Sequence, residues 1–153
     1  MRLLRQLRLC WIFMAVKRWP EDIAFSKAIR ESYDYTCCNC ERNYSHEHGH
    51  TDCAHVHTRL HRSTRWNSDY GAVCLCKACH RRFTLFPIEW GDFLRRFMGD
   101  SNYEEAKRLA WETRKYTKAE RKEIAAHYRA ETKRIENERK NGKQGYIPLV
   151  SYD

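Results

Sequence analysis

Two pairs of cysteines set the terms for this chain. Cys37-x-x-Cys40 is answered, after a gap of 35 residues, by Cys76-x-x-Cys79, and His80 follows the last cysteine directly. One Cys-x-x-Cys turn presents two thiolates from a tight loop, and two such turns brought together supply the four ligands of a tetrahedral zinc site. Four thiolates leave no open position on the metal, so the expected role of Cys37, Cys40, Cys76 and Cys79 is structural.

That reading needs a reducing compartment. The chain has eight cysteines, and an even number in an exported protein would suggest disulfides. The start offers Arg2, Arg5 and Arg8 followed by an apolar run from Leu9 to Val16, which then meets Lys17-Arg18-Trp19-Pro20 in place of a small-residue cleavage site. Eight residues are far too few to span a bilayer. Residues 1–19 therefore read as an N-terminal arm, with Met14 as the natural start and Met1 to Phe13 as upstream sequence or a disordered arm. The compartment reads as reducing and cytoplasmic, with no membrane role. The remaining cysteines divide by position: Cys38 sits inside the first turn and could stand in for a neighbour, whereas Cys53 and Cys74 read as small core residues.

At 153 residues, 42% hydrophobic and 32% charged, the chain is globular and of single-domain size, and its net charge of +9 favours a polyanionic partner. Pro20-Glu21-Asp22 opens a helix that carries Phe25, Ile29 and Tyr33 on one face to about residue 33. Residues 41–50 are a polar loop, and its run His46-Glu47-His48-Gly49-His50 reads as a solvated segment that binds metal adventitiously. Residues 52–57 alternate as a short strand, 58–70 form an Arg-rich loop, and 72–75 form the returning strand. A helix then starts in the second cysteine turn and runs to about Thr84. Pro87 opens another, which stops at Gly99. Ser101-x-x-Glu104 and Thr117-x-x-Glu120 predict capping boxes for helices over 102–116 and 118–140. The organisation is then an arm (1–19), a zinc-bearing domain (20–99), a helical extension (100–142) and a tail (143–153), with no internal repeat.

The order strand, loop, strand, helix is expected to deliver His55 and His80 to one place. A histidine at a strand end can act as a base near neutral pH, and a second can hold a divalent metal through its neutral ring nitrogen. Arg59, Arg62 and Arg65 cluster beside His55, and Arg81 and Arg82 follow His80. Guanidinium groups fork onto phosphate oxygens, which makes these arginines candidates for contacts to a nucleic-acid backbone. Trp66 reads as a core residue of the loop.

These residues resemble the HNH endonucleases of the ββα-metal fold, in particular the phage NinG-like, lambda-type recombination nuclease branch. The resemblance runs from about Asp22 to Lys140 through Phe25-Ser26-x-x-Ile29-Arg30, Cys37-x-x-Cys40, Cys53-Ala54-His55-x-x-x-Arg59, Arg65-Trp66 and Cys74-Leu75-Cys76-x-x-Cys79-His80. It implies an α+β fold: a small zinc-stapled ββα-metal core with flanking helices and a helical C-terminal region. It further implies a divalent-metal-dependent DNA endonuclease, in the host-cell cytoplasm if phage-encoded, acting in DNA recombination or processing. His55 matches the general base and His80 the metal-binding histidine of the helix, with Arg59 beside them. Zinc would be structural, and Mg²⁺ or another divalent ion catalytic, with no small-molecule cofactor. Many members carry an acid just before the base histidine, where this chain has Ala54. The missing ligand then falls to Asp52, with His57 and Asp69 as the other candidates. The family's central asparagine is met by Asn67, which comes early, and by Tyr70, which occupies the matching position. Two other classes stay open: a zinc-stapled DNA-binding module without cleavage, and an interaction protein whose helical tail binds a protein partner.

Overall fold

The computed structural model describes residues 18–45, 47 and 49–152. Among these residues it forms five helices and one two-stranded antiparallel sheet: α1 (Pro20–Ser32), β1 (Thr51–His55), β2 (Ala72–Cys76), α2 (Lys77–Leu85), α3 (Pro87–Met98), α4 (Asp100–Ala110) and α5 (Lys118–Lys140). The chain is a small mixed α+β protein, as expected at that coarse level. The suggested start at Met14, and the arm as far as Lys17, lie outside the described residues.

The hairpin is a partition between two apolar clusters. Its register pairs Thr51 with Cys76, Cys53 with Cys74 and His55 with Ala72. Successive side chains of a strand point to opposite faces. On one face Cys53 and Ala72 join Phe25 and Ile29 of α1, Trp66 of the loop, and Ile124, Tyr128 and Ile135 of α5. On the other, Ala54, Val56, Val73 and Leu75 pack with Phe83, Phe93, Leu94 and Ala106 from α2, α3 and α4. Every residue of β2 is buried, which is why its sequence, Ala-Val-Cys-Leu-Cys, is apolar without alternation.

The long helix α5 lies on α1, with the Phe25 and Tyr128 rings edge-to-face at 4.9 Å and the Tyr128 hydroxyl donating to the Trp66 carbonyl. The expected Thr117 capping box forms, the Glu120 amide donating to Thr117 Oγ1 at 3.1 Å and the Thr117 amide to Glu120 Oε2 at 2.7 Å. The tail closes this cluster with buried Ile147 and Leu149, and the Ile147 amide donates to the Ser32 carbonyl at 2.8 Å.

The second expected capping box does not form. Helix α4 begins at Asp100 with Gly99 as its cap at φ 80° and no side-chain cap bond. A single left-handed glycine ends α3 and starts α4, so Ser101 is already inside the helix and Glu104 instead pairs with Lys107 and Arg95. The helix also stops at Ala110 rather than near residue 116. Loop side chains satisfy its last carbonyls: His61 Nδ1 lies 2.9 Å from the Ala110 oxygen, and the Ser63 hydroxyl donates to Leu109.

Gly71 closes the long hairpin loop. A Cβ there would collide with the carbonyl oxygens of Thr64 and Asn67, which are backbone atoms and cannot swing aside. Gly71→Ala is expected to destabilise the protein by about 2 kcal/mol or more in denaturant unfolding. Gly91→Ala, on helix α3 with only the Tyr103 hydroxyl nearby, is expected to be neutral or stabilising. Equal effects at the two sites would refute the steric account.

Candidate metal centre and hairpin site

The first cysteine turn follows two residues of positive φ, Asp34 and Tyr35, that reverse the chain after α1. Its loop is closed by the Cys37 amide donating to the Arg42 carbonyl at 3.0 Å and the Glu41 amide to the Cys37 carbonyl at 2.8 Å. The second turn is where β2 becomes α2, so its thiols meet the N-terminus of a helix. The Cys79 amide points at Cys76 Sγ, 3.5 Å away, and Asn39 Nδ2 donates to Cys79 Sγ at 3.2 Å. Burial works against a Cys76 thiolate, but the amide and its polar neighbours win and hold the thiol down at about 7.

The sulfurs of Cys37, Cys40, Cys76 and Cys79 all lie within 4.8 Å of one another. Four sulfurs at the usual zinc–sulfur distance stand about 3.8 Å apart, and Cys40 Sγ is 3.9 Å from Cys76 Sγ. The four cysteines can hold a structural metal such as zinc. Cys38 is not among them: it is half-buried, its amide donates to the Cys74 carbonyl at 2.9 Å, and burial pushes its thiol up to about 12. Cys53 and Cys74 face each other across the hairpin in its interior.

His55 and His80 meet different partners. Asp52 and His55 are three residues apart on β1, an odd separation, so the pleat sends them to opposite faces. On the α2 side, Asp52 Oδ2 sits 3.0 Å from His80 Nδ1, and this contact holds the Asp52 carboxyl below its ordinary range. On the α1 side, His55 lies against the Phe25 ring at 5.9 Å. Its Nε2 is 3.2 Å from the Arg65 carbonyl oxygen. Burial, assisted by the charge of nearby Arg59, pushes the imidazole down to about 4. A neutral ring that donates from Nε2 to a carbonyl carries its lone pair on Nδ1.

Among the described residues, the four cysteines are the only group of three or more His, Cys, Asp or Glu that could hold an ion. His57 does not join Asp52 and His80. Its ring meets the edge of His61 at 5.6 Å, its Nε2 is buried without a partner, and burial followed by the His61 charge depresses its basicity. Asp69 lies in the hairpin loop, with its amide on Asn67 Oδ1. Of the run in the first loop, His46 and His48 lie outside the described residues, and His50 stacks on Tyr44 at 6.0 Å. Asn67 braces the long loop, its Oδ1 accepting the amides of Asp69 at 2.9 Å and Tyr70 at 2.7 Å.

Arg65 departs from the expected arginine cluster. It is buried, with its guanidinium forked onto Asp22 at 2.9 and 2.7 Å, so it braces the loop and has no exposed face for a phosphate. Arg62 and Arg81 are exposed and Arg59 half-buried. Trp66 is a core residue as expected, 3% exposed, and donates from Nε1 to Asp22 at 3.0 Å. The role of Asp22 is not legible in the sequence. As an acid in a first helical turn it looks like an ordinary capping charge, and no local pattern links it to an arginine 43 residues away.

Comparison of the chain with protein-family models, with curated proteins and with solved structures finds no match. No helix among the described residues is long and apolar enough to cross a membrane.

Proposed function

We propose that this chain is a divalent-metal-dependent DNA endonuclease of the HNH type, hydrolysing phosphodiester bonds in DNA recombination or processing. The observation that carries this reading is the placing of His55 at the end of the hairpin that the four cysteines tie to α2, with Nε2 fixed by the Arg65 carbonyl so that Nδ1 is the ring nitrogen able to accept a proton. The hairpin followed by α2, the cysteine site joining them and Asn67 bracing the loop support the same reading. In it, His55 takes the proton of the attacking water, and Arg59, Arg62 and Arg81 grip the phosphates on either side. Asp52 and His80, held together on the other face of the hairpin, are the residues that would hold a divalent ion by donor chemistry. Such an ion would supply Lewis-acid stabilisation of the charge that develops on the phosphate.

A second reading, a DNA-binding module without cleavage, is favoured by one observation: no third His, Cys, Asp or Glu donor joins Asp52 and His80 among the described residues. The two readings separate in a cleavage assay on supercoiled plasmid and on a four-way junction, with Mg²⁺, Mn²⁺ or chelator. Cutting by the wild type and a loss of about 10²–10⁴-fold in His55→Ala, with zinc content unchanged, is the expected result. Binding without cutting under every metal, by a folded zinc-loaded wild type, would leave the module and end the nuclease reading.

A further inference from the structure

Helix α5 carries five cations on one stripe. At about 100° per residue, Lys118, Lys122, Arg129, Lys133 and Lys140 fall within an arc of about 60°. All five are exposed, and none has a hydrogen-bond or ion-pair partner among the described residues. The rest of the helix is sorted around them. Ile124, Tyr128 and Ile135 face the core. Glu131 and Glu138 lie on the far side, occupied by Arg134. The only acid within the stripe is Glu136, and Lys27 of α1 neutralises it at 2.8 Å. Beside the stripe runs a groove of about 540 Å³ between α1 and α5, lined by Pro20, Ile23, Lys27, Arg129, Lys133 and Lys140 among others.

Unpaired like charges repel, and a helix that disperses its acids onto one side while leaving five cations aligned on another gains no stability from the arrangement. The alignment suits an extended anion. Its length, about 33 Å at 1.5 Å per residue, matches one turn of duplex, about 34 Å, along which phosphates recur every few ångströms. An anionic membrane is the weaker fit, because interfacial helices set large apolar side chains beside their cations. Next to this stripe the exposed positions of α5 are Ala119, Ala126, Ala130 and Asn137, and the groove beside it adds one exposed large apolar side chain, Ile23 of α1, where an interfacial helix would need a row of them.

We propose that this stripe is a second nucleic-acid surface, on the α1–α5 side of the molecule, which holds the phosphate backbone of a DNA duplex without reading its sequence. That the polyanion is DNA rests on the nuclease reading; the existence of the surface rests on α5 alone.

The test is duplex binding by the zinc-loaded full chain as salt is varied, with no divalent metal, so that cleavage plays no part. Arg129→Gln with Lys133→Gln is compared with a charge-matched pair off the stripe, Arg96→Gln with Lys115→Gln, each checked for wild-type melting and zinc content. The stripe variant is expected to bind about tenfold more weakly than the matched pair, uniformly across sequences. Its slope of log affinity against log salt should also be shallower by about 2, one for each phosphate that the variant no longer neutralises. Equal affinity and slope for the two variants overturns the proposal, as does preference of the stripe for anionic vesicles or an acidic peptide over duplex. The nuclease reading fails separately: a wild type that binds through the stripe and never cuts refutes the nuclease and keeps the surface.

Discussion

Cys76→Ser is expected to abolish metal binding and to destabilise the zinc-loaded protein by an amount on the order of 10 kcal/mol, the scale of structural zinc sites. The effect is this large because the four thiols bring both cysteine turns to one point inside the smaller apolar cluster, so metal binding and the packing of that cluster are coupled. The first turn hangs from a polar loop, and the second joins β2 to α2. Cys37 and Cys76 are themselves members of the cluster formed by Val56, Val73, Leu75, Phe83 and Phe93. Without metal, that cluster rests on a two-stranded ribbon with no third strand, which depends on the helices packed against it for stability. The α1–α5 pair, packed through Phe25, Ile29, Ile124 and Tyr128, does not use the metal. Chelation should therefore speed amide hydrogen exchange in β1, β2, α2 and α3 well before α1 and α5 respond. Cys38→Ser, adjacent in sequence to Cys37 but outside the sulfur cluster, should keep one zinc per chain. Wild-type melting by Cys76→Ser at zero zinc content would sink this account. Metal loading should also weaken as pH falls, because the thiols must lose protons to bind, and burial holds the Cys79 thiol up at about 12.

The four-thiol site was legible because two local spacings carry it. The helices were legible for a similar reason: Pro20, Pro87 and the Thr117–Glu120 box are local punctuation, and the structure starts α1, α3 and α5 at those marks. Helix α4 was misjudged because its limits are set from elsewhere. Gly99 serves two helices at once, and the last carbonyls of α4 are taken by His61 and Ser63, more than 40 residues upstream. The different partners of His55 and His80 follow a parity the sequence does contain. Residues 52 and 55 cannot share a face of a regular strand, so a carboxylate that meets His80 from position 52 leaves His55 on the other side. The fate of Arg65 was not legible, since a buried arginine and a phosphate-binding one look alike until the partner is known, and its partner lies on α1.

That partner sets the second large effect. Asp22→Ala is expected to cost about 3–5 kcal/mol, the range for removing one member of a buried ion pair. The Asp22 carboxylate is 6% exposed and accepts four hydrogen bonds: Arg65 Nε at 2.9 Å and Trp66 Nε1 at 3.0 Å on one oxygen, Arg65 Nη2 at 2.7 Å and the Trp19 amide at 3.0 Å on the other. Arg65 in turn lies between the rings of Trp19 and Trp66, 4.9 and 5.0 Å from their centroids, and reaches the Arg59 carbonyl. Alanine would leave a buried guanidinium with no counter-charge, and the Trp66 indole and Trp19 amide without their acceptor. The loop that presents the Arg65 carbonyl to His55 would loosen with it, so the same substitution should disturb the His55 tautomer as well as stability. Exchanging both partners for apolar residues, Asp22→Leu with Arg65→Met, should cost far less than Asp22→Ala alone. If the double variant is the worse of the two, the penalty does not come from an orphaned charge. The pH dependence has a definite sign. Burial pushes the Asp22 carboxyl up, but Arg65, the Trp19 amide and Trp66 together hold it below its ordinary 3.8. Its contribution is therefore complete above pH 3.8 and disappears as pH falls through the lower folded value. His55 acts in a different window. Its folded value, about 4, lies below the ordinary 6.5, so stability declines from pH 6.5 to about 4, where the unfolded chain takes up the proton and the folded one does not. Acid unfolding followed in wild type, Asp22→Asn and His55→Gln should show each variant lacking only its own window.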